Sequence, residues 1–143
     1  MSIWILIISL LALYFSVISM RTWFKSNSEL QEEFTKSYNK IKEESGETAY
    51  NWTIILFSIL YTGLWINFYV VAFNIFNSEW LVLSLVAVFY LLQSIYNFFK
   101  GLVMLAKKEV KSSLISKVLN TIELTYVVYF IYYYVFHWSV VLR

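Results

Sequence analysis

The sequence contains no cysteine, no proline and no aspartate, and it has one histidine and three glycines. Without cysteine, these 143 residues can form no disulfide, thiolate metal site, iron–sulfur cluster or thiol nucleophile. A single histidine cannot supply a bis-histidine haem site, and no zinc-ligand spacing is present. A Gly-rich phosphate loop, HExxH, Gly-x-Ser-x-Gly and a catalytic carboxylate pair are also missing. The expectation is a protein without a catalytic set, cofactor or metal. Proline is absent and glycine is confined to Gly46, Gly63 and Gly101, so nothing marks the broken helices of inverted-repeat transporters.

Charge is scarce too. Only 14% of residues are charged, against about 25% in soluble domains, while 60% are hydrophobic and 21% aromatic. So few charges cannot cover so much apolar side chain in water. The excess faces lipid.

Four runs are long enough to cross a bilayer, which takes about 20 residues. They cover 3–20, 52–76, 80–99 and 118–142, and only Glu123 and His137 interrupt the last. All are apolar around their whole circumference, unlike the alternating strands of a membrane barrel, so each reads as a helix. The first run has no basic residue before it and no small-residue cleavage site after it, which marks a retained helix rather than a signal peptide.

Basic residues place the connections. Arg21, Lys25, Lys36, Lys40 and Lys42 lie in 21–51, and Lys100, Lys107, Lys108, Lys111 and Lys117 lie in 100–117. The link 77–79 has no basic residue and the C-terminal tail has only Arg143. Basic short loops mark the cytoplasm, which puts both termini outside it. Trp4, Trp80 and Trp138 then fall at the outer interface, and Trp23 and Trp52 at the inner one. The fold expected is all-α: one integral membrane domain over 1–143, an antiparallel four-helix bundle in the plasma membrane. An amphipathic cytoplasmic helix lies between the first two spans.

That helix runs over 29–45, with Leu30, Phe34, Tyr38 and Ile41 recurring at spacings of four and three. Ser28 and Gln31 resemble a capping box, and Gly46 is a natural stop. Glu32 and Lys36 form a favourable i,i+4 pair. The 21–51 loop carries six glutamates against five basic residues, a net −1, and the 100–117 loop five lysines against Glu109, a net +4. Opposite signs on one face predict that the two loops touch. The acidic loop reads either as a solvated surface helix or as a docking site for a cytoplasmic partner.

Residues 81–100 align without gaps on 6–25, with identities that include Ser84/Ser9, Ala87/Ala12 and Ser94/Ser19. Tyr69-Val70-Val71-x-Phe73 matches Tyr126-Val127-Val128-x-Phe130. This is the pattern left by two tandem helical hairpins, a parallel repeat.

Each span has a face unlike a lipid-facing surface. Ser9, Ala12, Ser16 and Ser19 make a small-residue strip in the first, of the kind that lets membrane helices approach closely. Gly63, Asn67 and Asn74 share a face in the second, and Gln93 and Asn97 lie one turn apart in the third. In the fourth, Asn120, Phe130, Tyr134 and His137 fall within about 60° of Glu123, taking 100° per residue. These helix-packing faces are expected to point inward and bond one another.

An intramembrane carboxylate is costly and marks function by default. Glu123, with Asn120, Tyr134 and His137, is therefore the candidate ligand or ion set. The opposing reading places Glu123 at the cytoplasmic edge within reach of lysines, because the 19 residues after it already span. His137 reads as an interface anchor or a pH sensor. The crowded tyrosines of the fourth span read as packing and belt residues, or as an aromatic groove. Asn51-Trp52-Thr53 matches a glycosylation acceptor but lies on the cytoplasmic side.

Basic residues sit at membrane borders rather than along a nucleic-acid footprint, so no nucleic acid partner is expected. The expected partners are the lipid bilayer and another membrane protein or a second copy of the chain. The function expected is non-enzymatic, as an accessory subunit of a membrane complex or a protective immunity protein. The alternative is a small oligomeric transporter or channel using Glu123 and the tyrosine-rich fourth helix.

Overall fold

A computed structural model describes residues 3–77 and 80–141, with the side chains of 138–141 left aside. The expectations for Trp138, for Ser78 and Glu79 of the 77–79 link and for Arg143 lie outside the described residues. The described residues are all-α and 92% helical. Its helices are α1 (Ile3–Ser19), α2 (Asn27–Ser45), α3 (Glu47–Phe76), α4 (Leu81–Lys107) and α5 (Leu114–Val141). A 3₁₀ turn, Met20–Phe24, follows α1. Four of these segments, all but α2, are long and apolar enough to cross a membrane.

The helices outrun the apolar spans. α3 starts five residues before 52, α4 continues eight past 99, and α5 begins four before 118. Hydropathy stops at the first charges, whereas lysine and glutamate are good helix formers and carry the coil onward. The 100–117 connection thereby shrinks to 108–113.

α2 is capped by Ser26 and Glu29, not by Ser28 and Gln31. The Glu29 N–H donates to Ser26 Oγ at 3.3 Å, and the Ser26 N–H donates to Glu29 Oε2 at 2.9 Å. Both Ser-x-x-Glu and Ser-x-x-Gln are available in the sequence, and the carboxylate gains from the helix dipole as well as the hydrogen bond. Gly46, at φ 84°, ends α2 in a backbone state that glycine enters without strain.

Gln31 is thereby free to reach the α4–α5 connection. Its Nε2 donates to the Lys108 carbonyl at 2.9 Å, and its Oε1 accepts from the Val110 N–H at 2.8 Å. Asn27 Oδ1 accepts from the Ser112 N–H at 3.0 Å. Lys108 Nζ lies 3.1 Å from Glu47 Oε1 and 4.7 Å from the centre of the Tyr38 ring. Tyr38 donates its own hydroxyl to the same Glu47 oxygen at 2.8 Å. The two connections do touch, and neutral amide bonds outnumber ion pairs in holding them. The Glu32–Lys36 pair forms at 2.9 Å on the open face.

α1 lies against α5 and α3, α3 has its most extensive contact with α4, and α2 rests on α3. The small strip of α1 makes this possible: Ser9, Ala12 and Ser16 are buried, and Ser19 is half-buried. Aromatic rings fill the centre. Tyr69 stacks on Tyr90 with centroids 5.6 Å apart, and Trp65 stacks on Tyr69 at 5.6 Å. Phe68 and Phe76 of α3 meet Phe130 of α5 edge-on.

Two hydroxyls join α4 to α5. Tyr90 donates to the Leu119 carbonyl at 2.8 Å, and Tyr126 donates to the Leu83 carbonyl at 3.0 Å. At the polar end, Trp23 Nε1 donates to the Lys117 carbonyl at 3.1 Å and to Thr121 Oγ1 at 2.8 Å, tying the 3₁₀ turn to the start of α5.

Candidate functional site

A cavity of about 190 Å³ opens among α1, α3, α4 and α5. It somewhat exceeds the roughly 150 Å³ apolar cavity known to take up benzene, but its walls differ in kind. Ser58, Tyr61, Thr62 and Trp65 descend one face of α3 at spacings of three, one and three. Ser94, Asn97, Phe98 and Gly101 repeat that spacing on α4. One helical face therefore delivers a hydroxyl, an aromatic ring and an amide or hydroxyl within two turns. Asn120 and Glu123, three residues apart on α5, close the opposite wall, and Ser19 of α1 completes it.

Depth follows from the helix rise. Glu123 lies six residues beyond Lys117, whose carbonyl holds the Trp23 indole, so the carboxylate sits about 9 Å along α5 from that anchor. It is half-buried, and among the described residues no lysine, arginine or histidine pairs with it. None of the lysines that an edge placement would bring within reach forms an ion pair with it among the described residues. Instead the carboxylate lies within electrostatic reach of Tyr61, Tyr69 and Tyr90. Tyr69 is fully buried, and its hydroxyl, which makes no well-formed hydrogen bond, faces Glu123.

Of the candidate ligand set, the cavity brings together Glu123 and Asn120. Tyr134 and His137 are absent from its lining. Tyr134 stacks on Phe130 at 6.0 Å, and exposed His137 stacks on Tyr133 at 5.5 Å. Asn97, expected to serve packing, lines the cavity instead.

The remaining polar faces divide in two. Gln93 is half-buried with its Oε1 enclosed and unbonded. Gly63, Asn67 and Asn74 do not face inward at all: all three are exposed on the outer side of α3. A side chain added at Gly63 would meet nothing within 4 Å. The expected pairing of inward amides is absent among the described residues, and tyrosine hydroxyls bridge the helices in their place.

Sequence reasoning passed over Tyr61, Trp65, Ser58, Thr62 and Phe98. The signal was present: five of the six tryptophans fall at span ends, and Trp65 stands mid-span in a polar–aromatic stripe of helical period. Among the described residues there is no group of three or more potential metal ligands. No protein-family model, curated protein or solved structure matches the chain.

Proposed function

We propose that this is a four-span integral protein of the plasma membrane that works without catalysis, by associating with another membrane helix through the outer face of α3. The observation that carries the reading is the exposed stripe Gly63, Asn67 and Asn74. In lipid an amide without a partner keeps its desolvation cost, about 1–3 kcal/mol on protein mutational scales. A glycine beside it lets a second backbone come close.

The partner is a helix presenting a polar group at the same depth. A second copy of the chain does so automatically, because about a twofold axis Asn67 meets Asn67, and an amide both donates and accepts. As an accessory subunit or protective protein, the same stripe would engage a different chain.

The antiparallel bundle is supported by the α4–α5 bonds, since Leu83 pairs with Tyr126 and Tyr90 with Leu119, descending one helix while climbing the other. Lysine-rich connections at one end support a cytoplasmic placement of that end, with both termini outside.

Because the chain lacks cysteine, single introduced cysteines report cleanly. Gly63→Cys is expected to give a disulfide-linked dimer in native membranes, while Leu85→Cys, equally lipid-facing, stays monomeric. Asn67→Leu with Asn74→Leu should abolish that dimer, or the co-purification of a different partner. An unchanged cross-link or partner yield in the double variant would overturn the reading. In the same membranes Ser37→Cys should react with an impermeant maleimide only after the cytoplasmic side is opened.

A second reading, a small oligomeric transporter or channel, is favoured by the Glu123 cavity. Proton-driven flux in liposomes, lost in Glu123→Gln, is its test.

A further inference from the structure

We infer that the cavity around Glu123 is a binding site for a small organic cation, an ammonium carrying an aromatic or alkyl group. Four features of the walls select this class. The carboxylate has no cationic partner among the described residues, so when ionised it puts into the cavity a negative charge that a cationic ligand can balance. Such a charge away from water interacts far more strongly than one at the surface. Aromatic rings accompany it: Tyr61 and Trp65 come from α3 and Phe98 from α4. Aromatic faces attract ammonium groups, and most strongly where water is excluded.

The neutral lining groups Ser94, Asn97 and Asn120 offer oxygen acceptors, and no lysine or arginine lines the cavity. With a carboxylate in the lining and no basic side chain to offset it, an anionic ligand is disfavoured. Size limits the ligand to something near a substituted benzene ring.

A bare metal ion fits less well. It would need several converging oxygens, and here a single carboxylate faces three helices that contribute rings as much as oxygens. The site is separate from the outer stripe of α3, and binding requires no passage of the ligand across the membrane. Loss of one activity therefore leaves the other readable.

The test uses the full chain in lipid nanodiscs, with labelled benzyltrimethylammonium as the probe and empty nanodiscs subtracted. One saturable site per chain is expected. Glu123→Gln should weaken it at least tenfold, while Glu33→Gln, the same change on the exposed face of α2, leaves it intact. Ser94→Leu retains the carboxylate but fills the cavity, and should also remove binding; it decides the matter if Glu123→Gln fails to fold. Neopentylbenzene, the neutral isostere, should displace the probe at least tenfold less well than unlabelled benzyltrimethylammonium. Equal binding by Glu123→Gln, full binding by Ser94→Leu, equal displacement by the neutral isostere, or no saturable site would each overturn the inference.

Discussion

Replacing Ser26 by alanine removes the acceptor for the Glu29 N–H at the start of α2. The expected cost is about 1 kcal/mol, measured as a shift in the denaturation midpoint. Ser28→Ala should have a much smaller effect, because Ser28 contacts only the cap hydroxyl and no backbone donor. The cap was half legible: a serine three residues before a glutamate or glutamine is visible in sequence, but two overlapping candidates differ only in where the chain turns.

At the other end of α2, the Tyr38 hydroxyl and then Lys108 hold the Glu47 carboxyl below its usual 4.5. Tyr38 and then Glu47 hold the Lys108 amine above its usual 10.5. The Glu47 contribution is therefore complete above about pH 4.5 and fades as pH falls through its lowered value. The Lys108 contribution is complete below about pH 10.5 and fades as pH rises through its raised value. Between those limits the clasp joining α2, α3 and Lys108 should be insensitive to pH. Glu47→Gln should abolish the acid-side loss, followed by hydrogen exchange of the Val110 amide. Because the pair is solvent-exposed, added salt should weaken it.

Between α4 and α5, two side-chain bonds can be tested one at a time. Tyr90→Phe and Tyr126→Phe each delete one hydroxyl-to-carbonyl bond. Each is expected to cost about 0.6 kcal/mol, the average for polar contacts between membrane helices, with the rings and their stacking retained. Denaturation of the two single variants and the double variant checks both size and additivity.

The apolar helices themselves were plain in the sequence, because period and length suffice when there is no proline. Their ends were not, since charge ends an apolar run without ending a helix. The serines matched between the first and third spans form the same local bond. Ser9 and Ser84, matched in the alignment, donate to the Ile5 and Trp80 carbonyls four residues back. Ser19 and Ser94 do the same to Phe15 and Tyr90. Both helices thus use serine to satisfy its own hydroxyl while presenting a narrow surface, and Ser19 and Ser94 both reach the cavity.

For the molecule as a whole, mutual contact of the two polar connections was readable from opposite net charge, although the bonds that form are mostly to backbone atoms, which charge counting does not see. The cavity was not readable. Glu123 and Asn120 stood out, but their neighbours come from three other helices, and their convergence depends on how far each helix is rotated. Rotation also decided the fate of Asn67 and Asn74, which helical spacing put on one face without saying that the face looks outward.

The paired tyrosines between α4 and α5 have a mechanical consequence. Leu83 and Tyr90 are seven residues apart, as are Leu119 and Tyr126, so the two tethers sit about 10 Å apart along the seam. One is anchored by a ring on α4 and the other by a ring on α5. Sliding either helix lengthwise by a single residue strains both fastenings together, whereas a small splay at the polar end loads only the Tyr90 one. Two such ties are expected to resist shear more than a clothes-peg opening at the polar end, and Glu123 sits between them.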